Sequence, residues 1–366
     1  MRVLWRLFTF LLLGVGTTVA AAAAAPATPS LAPAREGDYV MKDFRCTDGE
    51  VFSALRLHFL TLGQPHRDAH GAIDNAVLIM HGTGGTGRQF LAPQFANVLY
   101  GAGGALDTTA FWLILPDDIG HGRSSKPSDA LHMRFPRYGY ADMVTAEHRL
   151  VTEYLGVAHL RLVMGTSMGG MHTWMWATTY PGMMDALMPL ACEPAAIVGR
   201  NRLWRDLIAD VITHDPEWRG GDYTQQPATA MRAANAMLMI AGSAPSFMQK
   251  TLADRDTVDR FLASGLEGRA RGFDANDLLY QLDASRDYDP SPLLEKITAP
   301  LVLVNSGDDF INPPELALAE RGIARVRTGR FVLIPASEKT HGHGTHTWAA
   351  LWESQLRDLL ARTGRH

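Results

Sequence analysis

A turn with the sequence GTSMGG constrains the fold of this chain more than any other stretch. The mostly apolar run Leu160–Met164 before it has the composition of a buried parallel strand, and a helical pattern of apolar residues follows at 171–177. Ser167 therefore stands at the tip of a sharp strand-to-helix turn, a nucleophile elbow, where the residues two before and two after must be small. Gly165 and Gly169 meet that demand. The motif G-x-S-x-G alone arises by chance in a chain with 34 glycines, so the flanking strand and helix carry the prediction.

The N-terminus has the pattern of an export signal. Two arginines precede the short apolar run Leu7–Val19, and Ala20–Ala25 offers small-residue cleavage sites. We predict a secretory signal peptide at residues 1–25, with an uncleaved anchor as the alternative, and a disordered linker rich in Pro, Ala and Ser at residues 26–37. The mature protein is expected in the periplasm or outside the cell, with no stable membrane insertion after signal cleavage.

Composition narrows the class of protein further. The 366 residues are 46% hydrophobic, enough for one large α/β domain with an insertion. A net charge of −4 without a basic patch argues against a nucleic-acid partner. Cys46 and Cys192 exclude a disulfide framework and a cysteine metal site, although the two could pair outside the cytoplasm. Since Cys192 closes an apolar strand, a buried thiol is the favoured interpretation. The sequence leaves the oligomeric state open, a homodimer included.

Strand and helix patterns alternate along the chain, which is typical of an α/β fold with a mostly parallel central sheet and helices on both faces. The core is predicted in two parts, residues 38–192 and 300–366. The expected strands are Glu50–Leu62 (an antiparallel edge strand), Ala76–Met80, Phe111–Leu115, Leu160–Met164, Ala186–Cys192, Leu301–Val304 and Phe331–Ile334.

The long interval between the two core parts lacks a convincing core strand. Helical patterns occur at Arg202–Ile212, Ala228–Ile240 and Asp254–Ser264. We therefore predict a helical cap at residues 193–299, inserted over the serine, because a connection of this length in a compact domain usually has a function. Ordinary crossover helices are the alternative.

A serine hydroxyl needs a neighbouring base before it becomes a nucleophile. Three histidines, His341, His343 and His346, follow the last predicted strand, and a base is expected there when the chain order is serine, acid, histidine. His343, flanked by glycines, is the predicted base, and the other two are its rivals. H-x-H-x-x-H also resembles the start of a zinc site, but suitable further ligands are missing, so no metal is predicted.

The base needs a carboxylate to orient it. The strand predicted at Leu301–Val304 leads into Asp308-Asp309, at the strand end where such an acid belongs. Asp309 is the predicted acid and Asp308 the alternative, and one of the two could instead cap the following helix.

Backbone N–H groups must also face the oxygen that becomes negative during acyl transfer. We predict that they belong to Met168, next after the serine, and to Thr83, in the Gly-rich loop after the strand Ala76–Met80. This loop lacks the pattern of a nucleotide site. Asp118 and His121 lie in the loop after the next strand. They could face the cleft, but local hydrogen bonds that hold the loop are the favoured interpretation.

Together the motifs GTSMGG, VNSGDDFINPP and GHG, with the HGTGG and PDDIGHGRSS loops, closely resemble the α/β-hydrolase superfamily from about residue 49 to the C-terminus. Within it, SMGGMHTWMWATTYP and the cap segment NRLWR are similar to the homoserine O-acetyltransferase branch. The resemblance implies a triad of Ser167, Asp309 and His343, and it puts Arg205 where those enzymes hold the substrate carboxylate. A salt bridge within the cap is the alternative for Arg205. Trp204 could line an apolar acyl pocket or pack in the core of the cap.

The chain departs from that branch in two respects. Those acetyltransferases have an aspartate directly after the catalytic histidine, where Gly344 stands here, and they are cytoplasmic, whereas this chain has an export signal. We therefore predict an exported serine hydrolase that cleaves an ester or amide of a small molecule through an acyl-enzyme on Ser167, without a cofactor. An O-acyltransferase is the alternative, and a non-catalytic binding module is the third hypothesis.

Overall fold

A computed structural model describes residues 33–270 and 272–364. The predicted signal peptide and residues 26–32 of the predicted linker lie outside the described residues. The sheet of the described part has eight strands in the order β1-β2-β4-β3-β5-β6-β7-β8. β1 and β2 are antiparallel to their neighbours, and all other pairs are parallel. The strands are β1 (Arg35–Arg45), β2 (Val51–Leu62), β3 (Ala76–Met80), β4 (Trp112–Pro116), β5 (Leu162–Thr166), β6 (Leu187–Leu190), β7 (Leu301–Ser306) and β8 (Gly329–Ile334).

Helices cover both faces of this sheet, because successive residues of a strand point to opposite sides. Leu78 and Met80 of β3 pack in one apolar core, and Val77 and Ile79 pack in the other. The α-helices of the described residues are α1 (Pro93–Leu99), α2 (Tyr140–Arg149), α3 (Met168–Thr179), α4 (Gly199–Thr213), α5 (Ala228–Ala241), α6 (Pro245–Thr251), α7 (Arg255–Ala270), α8 (Ala275–Asp283), α9 (Leu318–Ile323) and α10 (Glu353–Arg362). α2 and α3 lie on the first face, and α1 and α10 on the second. The predicted fold class is confirmed.

The chain between β6 and β7 contains five of these helices, α4 to α8. No strand occurs among its described residues, 191–270 and 272–300. Ile208, Ala234 and Leu278, from α4, α5 and α8, are buried against one another in a small apolar core of their own. The helices are therefore held together by their own packing as well as by the sheet domain.

Two details of the N-terminal strands differ from the sequence prediction. β1 pairs with β2 from Arg35↔Thr61 onward, so residues 35–37 belong to the sheet and not to a linker. β1 is also the edge strand, and β2 lies inside the sheet next to β4. Only Met41 and Phe44 are buried along β1, so most of its residues are polar. The strand therefore lacks the alternation of apolar and polar residues by which a strand is recognised in a sequence.

Both cysteines are buried and unpaired. Burial raises the pKa of the Cys46 thiol to about 12 and raises that of Cys192 as well. Such thiols are unreactive, in agreement with the favoured interpretation of the sequence. A helix long and apolar enough to cross a membrane is not found in the described part of the chain.

Candidate active site

Ser167 occupies a strained turn between β5 and α3. Its backbone angles, φ 56° and ψ −112°, are unfavourable for a residue with a side chain. The turn is possible because two glycines allow close approach of the backbone. A Cβ atom at Gly165 would lie 2.2 Å from the carbonyl oxygen of Gly169, and one at Gly169 would lie 2.0 Å from that of Met80. The glycines predicted from the motif are thus sterically required.

The structure brings the three predicted triad side chains into one hydrogen-bonded line. His343 Nε2 lies 2.8 Å from Ser167 Oγ, and His343 Nδ1 lies 2.8 Å from Asp309 Oδ2. Ser167 follows β5, Asp309 follows β7 and His343 follows β8, so all three lie at the carboxyl edge of the parallel strands, where such folds assemble sites. This geometry allows the imidazole to accept the serine proton while the carboxylate holds the ring.

Asp309 is buried and ionised. Burial alone would raise the pKa of Asp309, but the His343 ring and hydrogen bonds from Asn312 outweigh it and hold the pKa below its usual range. Asn312 donates from Nδ2 to Asp309 Oδ2 at 3.1 Å and to the Ala191 carbonyl at 2.8 Å. Sequence reasoning missed Asn312. The signal that could have identified it was an amide side chain three residues after the acid and directly before Pro313.

The rivals of the triad residues have other roles. Asp308 Oδ2 accepts hydrogen bonds from Thr340 Oγ1 at 2.7 Å and from the Gly342 N–H at 3.3 Å, so it anchors the loop that carries His343. His341 stacks on Trp348 with ring centroids 4.1 Å apart. His346 packs edge-on against His343 at 5.3 Å, and burial together with His343 lowers the pKa of His346 to about 3.

The two segments predicted to hold the oxyanion donors lie beside Ser167. A Cβ atom at Gly82, next to Thr83, would lie 3.3 Å from Ser167 Cβ. Met168 begins α3, so its N–H is free of intrahelical bonds. No hydrogen bond among the described residues takes the N–H of Thr83 or of Met168. Both donors are therefore available to a ligand.

A cavity of about 200 Å³ lies above the serine, and Thr83, Ser167, Trp204, Arg205 and His343 are among the residues that line it. Arg205 is 3% exposed, and its Nη1 has no hydrogen-bond partner within the described residues. Its guanidinium lies 4.7 Å from the Trp204 ring centroid, and its Nε donates to Asn201 at 3.1 Å. The described ion pairs do not include Arg205, so the cap salt bridge considered from the sequence is not formed there.

In the loop after β4, His121 makes the local hydrogen bond that was predicted, with its Nδ1 2.9 Å from the Ile119 carbonyl oxygen, whereas Asp118 does not hold the loop through its side chain. The carboxylate that holds the loop is that of Asp117, which accepts from the N–H groups of Gly87 at 2.8 Å and Arg123 at 2.9 Å. Asp118 and His121 are buried, facing neither the cleft nor solvent. Both aspartates are buried, and sequence alone does not show which carboxylate meets the N–H groups of the loop, because that depends on the direction in which each side chain points.

A larger cavity, of about 480 Å³, lies between the start of α4 and the loop after β7. Ile311 lines both this cavity and the one above Ser167. Glu193 lies in its wall, where burial, followed by the charge of Asp309, raises the pKa of Glu193 to about 8. Since Ser167 does not line the larger cavity, we assign the candidate active site to the smaller one.

Comparison with known proteins identifies the family. A family model described as the alpha/beta hydrolase fold matches residues 75–337. The chain belongs to the α/β-hydrolase fold family. It is 30% identical over 279 residues to a probable acyltransferase from Methanothermobacter thermautotrophicus, covering 76% of this chain and 84% of that protein. It is 27% identical over 300 residues to a homoserine O-acetyltransferase from Trichormus variabilis, covering 74% and 79% of the two chains.

Among solved structures, an acetylester hydrolase from Corynebacterium glutamicum superposes on this α/β hydrolase with a TM-score of 0.79. The match has 19% identity and covers 89% of this chain and 96% of that chain. At this identity the likeness shows the fold alone. The family resemblance stated from the sequence is confirmed, and the relatives support an enzyme of the hydrolase or acyltransferase type.

Proposed function

We propose that this α/β hydrolase is a serine esterase that acts on a small molecule through an acyl-enzyme on Ser167. The single observation that carries the proposal is the continuous line from Ser167 Oγ through His343 to Asp309, with both hydrogen bonds at 2.8 Å. In the first step Ser167 attacks the ester carbonyl, and His343 takes the hydroxyl proton and passes it to the leaving alcohol. The N–H groups of Thr83 and Met168 stabilise the oxygen that becomes negative.

In the second step an acceptor removes the acyl group from Ser167. His343 now takes a proton from the acceptor, and the serine hydroxyl is restored. If the acceptor is water, the reaction is hydrolysis. If it is an alcohol, the reaction is acyl transfer, which is the second candidate function and is favoured by the sequence similarity to acyltransferases. We prefer hydrolysis because the residue after His343 is Gly344. A glycine has no acidic side chain that could bind the amino group of an acceptor molecule.

The buried guanidinium of Arg205 points to the substrate class. A buried cation without an anionic partner is costly, and a carboxylate on the substrate would compensate it. Arg205 lines the cavity that contains Ser167, so the proposed substrate is an ester that bears a carboxylate. Trp204, whose ring lies against Arg205, is proposed to contact the same substrate.

The test is labelling by a fluorophosphonate, which reacts only with an activated serine. The parent protein should be labelled and should hydrolyse acetyl esters, whereas Ser167→Ala should do neither. Ester turnover with and without an added alcohol then separates hydrolysis from transfer by the ratio of free acid to transferred ester. An unlabelled parent whose activity survives Ser167→Ala would reject the proposal.

Export remains part of the proposal and depends on residues 1–25 alone. Expression with the native N-terminus should give a periplasmic or secreted protein that begins after one of the alanines at Ala20–Ala25. Cell fractionation followed by N-terminal sequencing tests this, and an unprocessed cytoplasmic protein would contradict it.

A further inference from the structure

A group of buried titratable side chains lies beneath the elbow, apart from the triad. Each is at most 1% exposed, and the group comprises His81, Asp118, His121, Glu147 and His172. No lysine or arginine forms an ion pair with them among the described residues. Two carboxyl groups in an interior without a cation cannot both be ionised at an acceptable cost, so the group must retain a proton or hold another positive charge.

Glu147 is the acceptor at the centre of this group. His172 Nδ1 lies 2.8 Å from Glu147 Oε1, and Trp176 donates from Nε1 to Glu147 Oε2 at 2.6 Å. Burial raises the pKa of Glu147 to about 7, and the neighbouring Asp118 and the hydrogen bond from Trp176 limit the rise. Each oxygen of the Glu147 carboxyl group therefore meets one donor from α3.

Asp118 is the second carboxyl group of the cluster. Neither of its carboxyl oxygens receives a hydrogen bond from an N–H or hydroxyl group of the described residues. Ligand atoms of Asp118, Glu147 and His172 lie within 4.8 Å of one another. Burial and the charge of Glu147 raise the pKa of Asp118 well above its usual range. A neutral Asp118 can donate its proton to Glu147, which gives one of the two Asp118 oxygens a partner.

These hydrogen bonds connect the two segments that carry the oxyanion donors. Glu147 belongs to α2, and His172 and Trp176 belong to α3, which begins directly after the nucleophile. The Asp118 N–H donates to His81 Nε2 at 3.1 Å, and the His81 carbonyl accepts from the Gly169 N–H at 2.9 Å. His81 immediately precedes the Gly-rich loop. The group therefore links the start of α3 to the loop that holds Thr83.

We propose that Glu147 is a positioning residue for acyl transfer, which holds α3 and the Gly-rich loop in register through His172, Trp176 and a proton shared with Asp118. This inference rests on the proposed function of Ser167. The same side chains could instead ligate a divalent cation, and the metal measurement below separates the two cases. A shared proton accounts for the contacts without a further component.

The experiment compares Glu147→Gln with Glu153→Gln, which removes a charge from the exposed turn after α2. The amide of Glu147→Gln puts a donor where a carboxylate accepted hydrogen bonds. We expect kcat for an acetyl ester to fall about 10- to 100-fold with KM nearly unchanged, since misplaced reacting groups slow the chemical step. Glu153→Gln should retain the parent kcat.

The double variant Glu147→Gln, His172→Glu exchanges the donor and the acceptor of this hydrogen bond. Its kcat should be about fivefold or more above that of Glu147→Gln alone.

Fluorophosphonate titration gives the concentration of active sites, so kcat is calculated per reactive serine and a partly misfolded sample does not lower it.

Asp118→Asn still has a donor for Glu147 and should retain more activity than Glu147→Gln. If Glu147→Gln does not fold, Asp118→Asn is the variant that is measured. A parent kcat in Glu147→Gln, no recovery in the double variant, or Asp118→Asn less active than Glu147→Gln would overturn the inference. One equivalent of tightly bound metal, measured by mass spectrometry, would overturn it in favour of a metal site. Absence of parent labelling would instead reject the proposed function.

Discussion

The Nε2 atom of His343 lies 2.8 Å from Oγ of Ser167, although 176 residues separate them in the sequence. The distance is short because both residues follow parallel strands of one sheet, whose carboxyl ends meet at a common edge. The buried Asp309 carboxylate lies 2.8 Å from the other ring nitrogen, Nδ1. This contact fixes the orientation in which the ring can accept the serine proton.

Replacing the serine tests this line directly. Ser167→Ala should lower kcat for acetyl ester hydrolysis by about 10³-fold or more, because the nucleophile is lost while binding remains. The melting temperature should change little, since only one oxygen atom is removed. Ser354→Ala, on the exposed face of α10, is the control and should keep full activity. Residual hydrolysis near the parent rate in Ser167→Ala would place the chemistry elsewhere.

The adjacent aspartates offer a matched pair of variants. Asp309→Asn should lower kcat by about 10³- to 10⁴-fold, because an amide fixes the wrong tautomer of His343. Asp308→Asn removes an acceptor for Thr340 and Gly342 from the loop and should cost stability, about 1 to 2 kcal/mol, with a smaller loss of kcat. Steady-state kinetics and thermal melting of both variants check the assignment. It fails if Asp308→Asn is the less active of the two.

The tight turn at the elbow predicts a steric effect on stability. Gly169→Ala would put its Cβ 2.0 Å from the Met80 carbonyl oxygen, whereas a Cβ at Gly182 has no atom within 4 Å. We expect Gly169→Ala to destabilise the protein by about 3 kcal/mol or more, because the clash is with backbone that must move, and Gly182→Ala to be nearly neutral. Denaturant unfolding measures both, and equal midpoints would contradict the steric argument.

Sequence reasoning selected the three side chains that the structure brings into one line because each follows a strand with an evident apolar pattern. It missed β1, where burial of only Met41 and Phe44 gives no periodicity. It also missed the link between Glu147 and His172. Both residue types are usually exposed on helices, and only the packing of α2 on α3 shows that these two are buried together. Burial of a polar side chain is a tertiary property, which is why the sequence indicated Ser167 but not the residues beneath it.

Arg205 predicts a selective effect on substrates. Arg205→Met keeps much of the side-chain volume but removes the charge, so KM for an ester that bears a carboxylate should rise about 10- to 100-fold. KM for a neutral acetyl ester should stay within about twofold. Arg202→Met, one turn away and paired with Asp206, controls for loss of charge on α4. An equal effect of Arg205→Met on both esters would show that the guanidinium stabilises the helices around it rather than binding the substrate.

The raised pKa of Glu193 predicts a pH dependence of stability. In the unfolded chain a glutamate ionises near pH 4.3, but in the folded protein burial and Asp309 hold the pKa of Glu193 at about 8. Between these values the folded state binds more protons, so this residue makes the free energy of unfolding decrease as the pH rises through the window. Glu193→Gln removes the effect and keeps an acceptor for Asn305 Nδ2, which lies 3.3 Å from Glu193 Oε1.

The variant should therefore be more stable than the parent at pH 8, and its advantage should shrink toward pH 5. One pKa unit corresponds to about 1.4 kcal/mol, so even half of the shift gives a difference of about 2 kcal/mol at pH 8. Melting temperatures of both proteins across pH 5 to 9 measure this difference. Glu315→Gln, an exposed change at the rim of the same cavity, should follow the parent at every pH. A constant offset between Glu193→Gln and the parent would mean that Glu193 is ionised in the folded protein.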